Sequence, residues 1–231
     1  MKRFYTDVAV VPSDGGWTIQ LDGRPIRTPA RAQLALPTPT LAEAVAAEWR
    51  RQGETVDPAT MPMTGLANAA LDHVAPNPAD FAAGVARYAQ SDLLCYRADG
   101  PEALVARQAA AWNPLLDWAR ARYDVAFAVT QGIIPVPQPE ETLARLGAAV
   151  AALDPFRLTG MSTLVTLSGS LVCGLAVVEG GHDPVAVWQA AEIDEAWQVE
   201  QWGEDAEAAA RSSRRAAEFA TAADFIALSR A

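Results

Sequence analysis

The stretch QLALPTPTLAEAVAAEWRRQG, residues 33–53, decides the fold because its pattern changes half-way along. QLALP closes a series of short β-rich runs, and Thr40-Leu-Ala-Glu43 then has the form of a capping box opening the helix LAEAVAAEWRRQG, which stops at Gly53. Upstream, FYTDVAVV, GGWTIQL and RPIRTP are separated by SDGG, DG and PAR. The Asp22-Gly23 pair is a two-residue hairpin signal, so a twisted antiparallel sheet is expected.

Downstream the pattern is helical. TGLANAALDHV, DFAAGVARYAQSDLLCYR and PEALVARQAAAWNPLLDWARARY place apolar residues three and four apart, with Pro101 and Pro139 where first-turn prolines are tolerated. Within the third run Pro114 is expected to kink or restart the helix. The run 127–136 reads as extended, 140–153 as a helix, and 184–229 as a long helical stretch interrupted near Gly203. The expected class is α+β: a small N-terminal antiparallel β domain, residues 1–58, ending in a helix, followed by a larger, mainly α-helical domain, residues 59–231.

With 231 residues, 51% hydrophobic and 20% charged, the chain has the composition of a globular protein with a sizeable core. A net charge of −10 argues against nucleic acid or an anionic bilayer as partner. Lys2 is its one lysine, which removes a P-loop, a Schiff base and a catalytic lysine. Cys95 and Cys173 lie in apolar surroundings, as buried thiols of a reducing compartment do, so the cytoplasm is expected. The start MKRFYTDVAV reads as a first strand rather than a secretory signal. Residues 158–178 form an uncharged run of membrane-spanning length. Their six hydroxyl residues and three glycines mark a buried core element instead.

Reactive residue types are few. His73 and His182 have no second His or Cys at metal-ligand spacing, Ser168-Gly-Ser170 lacks the glycines of a nucleophile elbow, and no dinucleotide fingerprint follows a strand. No catalytic residue, cofactor or metal is expected. A carboxylate-dependent hydrolase of unknown substrate is the alternative reading, and it requires two carboxyls about 5 to 9.5 Å apart in a pocket.

The most acidic segment is also rich in tryptophan: DEAWQVEQWGEDAE, residues 194–207, lies in a 53-residue interval between Arg157 and Arg211 that has no Lys or Arg. On one continuous helical wheel, Trp188, Ala191, Glu192, Glu195, Val199 and Trp202 share a stripe about 100° wide, and Trp197 points nearly opposite Trp188. Glu195 therefore either pairs with an arginine of another helix, such as Arg87, Arg97 or Arg120, or, on a partly open stripe, faces a partner's cation or backbone donor. Asp92, between aromatics in RYAQSDLLCYRA, is a similarly odd residue for a core.

Four motifs in this order, RYAQSDLLCYRA (87–98), WNPLLDWA (112–119), SGSLVCGLAV (168–177) and DEAWQVEQWGEDAE (194–207), follow the β-rich start. Together they resemble the family of assembly chaperones for the alpha subunit of the F-type ATP synthase catalytic head. The lysine-poor, Ala- and Arg-rich composition fits a bacterial relative. The resemblance implies an ATP-independent chaperone, not an enzyme, that holds the unassembled alpha subunit and hides a surface later taken by the beta subunit. It implies Glu195 as the first client-binding residue, followed by Trp49, Asp92, Trp197, Gln198, Trp202, Gly203 and Asp205. The partner expected is this protein client, with no nucleic acid, no membrane insertion and a monomer when free.

Overall fold

Residues 1–132, 134–203 and 205–230 are described in the computed structural model. The chain opens with an antiparallel sheet of order β1-β2-β3, comprising β1 (Val8–Ser13), β2 (Gly16–Leu21) and β3 (Arg24–Pro25). Asp22 and Gly23 both take positive φ (48° and 76°), the backbone that a two-residue hairpin loop demands. QLALP does not extend the sheet as a strand. Its Leu36 instead exchanges backbone hydrogen bonds with Trp17 at 2.7 and 2.8 Å, and a Cβ on Gly16 would lie 2.2 Å from the Leu36 carbonyl oxygen, so only glycine allows this approach.

Helix α1 (Pro39–Arg50) is capped by Thr38, whose hydroxyl accepts from the Leu41 N–H at 3.1 Å. The capping box expected at Thr40 is displaced because Pro39, with its fixed φ and missing N–H, suits the first helical position. Leu41, Ala42, Val45 and Ala46 bury one face of α1 in a core with Ile19, Leu21, Leu34 and Leu36. Buried Glu48 then caps α2 (Pro62–Ala69). Its two carboxylate oxygens accept from the N–H groups of Met63 (2.7 Å) and Thr64 (2.8 Å) and from the Thr64 hydroxyl (2.7 Å). α2 continues into a π turn, Ala70–Val74, that carries His73.

By compactness the chain falls into two units. The first comprises Met1–Pro78, Asp154–Gly160 and the C-terminal segment from Asp224 onward. It extends past residue 58 because α2 is tied to α1 through Glu48. Within it the Thr38 hydroxyl donates to the Leu228 carbonyl, and Phe156 stacks on Phe225 at 6.1 Å.

The second unit, Ala79–Leu153 and Met161–Ala223, is mainly helical. After α3 (Pro78–Ala86), RYAQSDLLCYRA is not the continuous helix its spacing suggests. It forms two 3₁₀ turns, Arg87–Ser91 and Leu93–Cys95, divided by Asp92, and then β4 (Tyr96–Arg97), which pairs in parallel with β5 (Thr130–Gln131). Of the run expected to be extended, 127–136, only those two residues pair as a strand, and Ile133 lies outside the described residues.

Helix α4 (Glu102–Tyr123) runs unbroken through Pro114, which sits on an exposed stretch where a missing amide bond is tolerated. Its fully buried Trp112 donates its indole N–H to the Ala190 carbonyl at 2.7 Å. Helix α5 (Glu140–Ala151) follows. The uncharged run becomes α6 (Pro155–Ser168) and α7 (Leu171–Glu179), separated where Gly169 takes φ 68°. Among the described residues no helix is long and apolar enough to cross a membrane.

The C-terminal stretch is three helices, α8 (Pro184–Ala191), α9 (Ile193–Trp202) and α10 (Ala206–Leu228). The break at Gly203 agrees with expectation; the one at Glu192 (φ −97°, ψ 14°) corrects the continuous wheel drawn from Trp188. The architecture is the expected one, a small antiparallel sheet followed by a mostly helical region.

Candidate functional site

Helix α9 has the sequence IDEAWQVEQW, and none of its ten residues is buried. Two corners define it. At its start, Glu192 leaves the helical region, so Trp188 stays with α8, packed against Phe219 at 5.1 Å with the Arg215 guanidinium 5.3 Å over its ring. At its end, Gly203 takes φ 86° and ψ 166°, a region that residues with a Cβ avoid. Between these corners Glu195, Val199 and Trp202 follow one another at helical spacing, and all three are exposed: Val199 to 43% and Trp202 to 77%.

The carboxylates around this helix are mostly engaged. Both Glu200 oxygens accept from Arg107 Nη1 at 2.7 Å, which holds the Glu200 carboxyl below its ordinary range. The same guanidinium lies 4.9 Å over the half-buried Trp197 ring. Asp194 accepts from the Gln108 side chain at 2.7 Å, and Glu192 pairs with Arg215 at 3.1 Å. Burial pushes the Glu192 pKa up, with Arg215 opposing and the Glu195 charge reinforcing.

Glu195 makes no hydrogen bond or ion pair among the described residues. Of the arginines the sequence offered, Arg97 donates to Asn113 at 2.9 Å and Arg120 to Asp117 at 2.6 Å. Glu195 instead lines a groove of about 550 Å³ with Val199 of α9 and with Ala208, Arg211 and Arg215 of α10.

The other residues singled out from sequence divide into three groups. Gln198, Trp202, Gly203 and Asp205 join Glu195 and Trp197 on one continuous segment, all but Trp197 exposed; Asp205 caps α10 by accepting from the Ala208 N–H at 2.9 Å. Asp92 has no exposed surface. It accepts from the N–H groups of Leu94 and Val172 (both 3.0 Å) and from the Ser170 hydroxyl (2.7 Å), tying a 3₁₀ turn to the start of α7. Burial raises its pKa, and these donors oppose the rise. Trp49 lies in the other unit, half-buried, with its ring 5.6 Å from Tyr5 and its indole N–H without an acceptor among the described residues.

Arg107 and Arg215 were not anticipated. A cation 93 residues from the carboxylate it binds leaves no local pattern to read. Among the described residues no cluster of three or more His, Cys, Asp or Glu is placed to hold a metal ion. Cys95 and Cys173 are pushed up to about 12, chiefly by burial, so their thiols stay protonated at neutral pH. His182 stacks edge-on against Trp118 at 4.9 Å.

Comparison with known proteins identifies relatives of the chain. A family model described as ATP12 chaperone protein matches residues 2–120. The chain is similar to the crystal structure of Atp12 from Paracoccus denitrificans, with 46% identity, a TM-score of 0.95 and coverage of 99% of this chain and 98% of that one. It is also similar to the Atu1473 protein of Agrobacterium tumefaciens, with 40% identity, a TM-score of 0.92 and coverage of 97% and 85%. The mitochondrial atp12 protein of Schizosaccharomyces pombe is 24% identical over 214 residues, 87% of this chain and 74% of that protein.

Proposed function

The chain belongs to the ATP12 chaperone family, whose members assist ATP synthase assembly, and on that premise we propose that it binds the unassembled alpha subunit of the F-type enzyme without using ATP. In this reading it acts in the cytoplasm as a monomer and covers a surface that the neighbouring beta subunit later occupies. One observation carries the proposal: α9 leaves Trp202 and Val199 exposed on the same face as an unpaired Glu195.

Burying a large apolar side chain on a partner is worth roughly 1.5 to 3 kcal/mol, so a few such contacts give useful but reversible affinity. The surrounding carboxylates keep the face hydrated, discourage two copies from pairing through it, and favour a client surface that carries cations. Displacement by the beta subunit would then release the client by competition.

The test is light scattering from denatured alpha subunit diluted into buffer without nucleotide. Wild-type protein should suppress aggregation at near-stoichiometric ratio. The double variant Glu195→Lys/Trp202→Ala should lose most of this while keeping its far-UV circular dichroism and its stability within about 0.5 kcal/mol, as exposed positions do. A requirement for ATP, or full activity in the double variant, would overturn the reading.

A further inference from the structure

The unit built on the N-terminal sheet has a surface of different character. Over the residues of this unit, Lys2 and eight arginines stand against ten carboxylates, so it is close to neutral in a chain whose net charge is −10. Arg24 and Arg27 line a groove of about 500 Å³ together with Phe4, Pro25, Ile26 and Trp49. The one carboxylate among its lining residues, Asp22, makes no ion pair; its Oδ1 accepts from the N–H groups of Thr6 (3.1 Å) and Asp7 (2.8 Å). Arg24 makes no hydrogen bond or ion pair among the described residues, and Arg27 is bound only to the Arg31 carbonyl, at 2.9 Å. Among the described residues neither guanidinium is hydrogen-bonded to a carboxylate, although the Asp7 and Thr6 N–H groups and, less strongly, the Arg24 charge hold the Asp22 carboxyl below its usual range.

The apolar part of the groove is fixed in place. Phe4 meets Tyr5 edge-on at 5.4 Å, Tyr5 meets Trp49 at 5.6 Å, and the Tyr5 hydroxyl donates to the Trp49 carbonyl at 2.7 Å. Phe4, at the outer end of this series, is 63% exposed. An aromatic ring held by its neighbours offers contact area with little ordering left to lose on binding, and Arg and Trp are the residue types that dominate binding hot spots.

From these two features we propose that this groove docks an acidic, apolar polypeptide segment, with a carboxylate on Arg24 and Arg27 and a neighbouring aliphatic or aromatic side chain on Phe4 and Ile26. Planar guanidinium groups match carboxylates bidentately, which supplies the orientation. Two arginines are too few for a phosphate backbone, whose binding rests on many such contacts and which a net charge of −10 repels. The site is built from residues of the first unit, whereas α9 belongs to the second, and it has the opposite charge preference.

The experiment uses the full chain and three short fluorescein-labelled peptides: alternating Glu and Leu with a central Phe, the same with Lys for Glu, and the same with Ser for Leu and Phe. By anisotropy the acidic apolar peptide should bind, and the other two should bind at least about tenfold more weakly. Arg24→Glu/Arg27→Glu should weaken its binding about fivefold or more, and raising salt to about 0.5 M should weaken it in wild-type protein only. Phe4→Ala should weaken it at both salt concentrations.

Glu195→Lys/Trp202→Ala should leave peptide binding unchanged, so failure of this proposal and failure of the α9 reading are told apart. Equal binding of the Lys or Ser peptide, or indifference to the arginine reversals, would overturn it. Tighter competition by a single-stranded oligonucleotide would reassign the groove to nucleic acid. Self-association in sedimentation that the arginine reversals abolish would reassign it to a second copy of this chain. The peptide and salt series on wild-type protein stand even if a variant misfolds.

Discussion

Helices α7 and α9 are nine and ten residues long and lie in the same unit, yet α7 buries eight of its residues and α9 buries none. The presence of large apolar side chains does not separate them, since α9 contains two tryptophans, a valine and an isoleucine. Polar anchoring does. α7 has no polar side chain between Leu171 and Val178 except the Cys173 thiol, and its first amide groups are met by Ser170 and Asp92 inside the core. In α9 Asp194, Glu195, Gln198, Glu200 and Gln201 would all need partners if buried, and desolvating them would exceed the gain from its rings. A helix is drawn inside when its termini are satisfied there and its sides carry nothing to hydrate.

The sharpest way to break this contrast is to remove the anchor. Asp92→Ala strands three donors in a site with no access to water, and should cost about 3 to 5 kcal/mol in urea unfolding. A loss under about 1 kcal/mol would mean that α7 is not held by its polar start. Next in size is bulk. A Cβ on Gly174 would lie 2.5 Å from Val165 Cγ2, so Gly174→Ala should destabilise by about 1 to 3 kcal/mol, whereas enlargement at the exposed Ala196 of α9, as in Ala196→Leu, should stay within about 0.5 kcal/mol.

The smallest effect concerns the joint before α9. Glu192 has its pKa raised above the ordinary 4.5 by burial, so its contribution to stability is full while it is protonated, below 4.5, and is lost as pH rises through the raised value. Glu192→Gln removes that titration. The thermal midpoint of wild type relative to Glu192→Gln should therefore decline as pH rises above the ordinary 4.5. A constant difference would show that Glu192 titrates as an ordinary surface acid.

What could be read in the sequence was what is decided locally. Asp22-Gly23 fixes its hairpin by backbone preference alone, whereas the crowd of acids around Trp197 and Trp202 leaves open whether their helix is packed or exposed. Thr38 was missed as a cap because the capping-box template fits Thr40, and only the fit of Pro39 to the first helical position decides between them. RYAQSDLLCYRA has helical spacing, but Asp92 is held by groups 78 and 80 residues away, which end the helix at a place no local pattern marks. Likewise, that α9 is acidic was evident, while which acid remains unpaired depended on Arg107 and Arg215, supplied by other helices.

The unpaired carboxylate on α9 also has a use in chemistry at the bench. Lys2 is the one lysine of the chain, so a carbodiimide that activates Glu195 finds no lysine amine on any helix to capture the activated ester. An amide formed there with a lysine of a bound subunit would be a covalent record of docking, with almost no internal cross-links to obscure it.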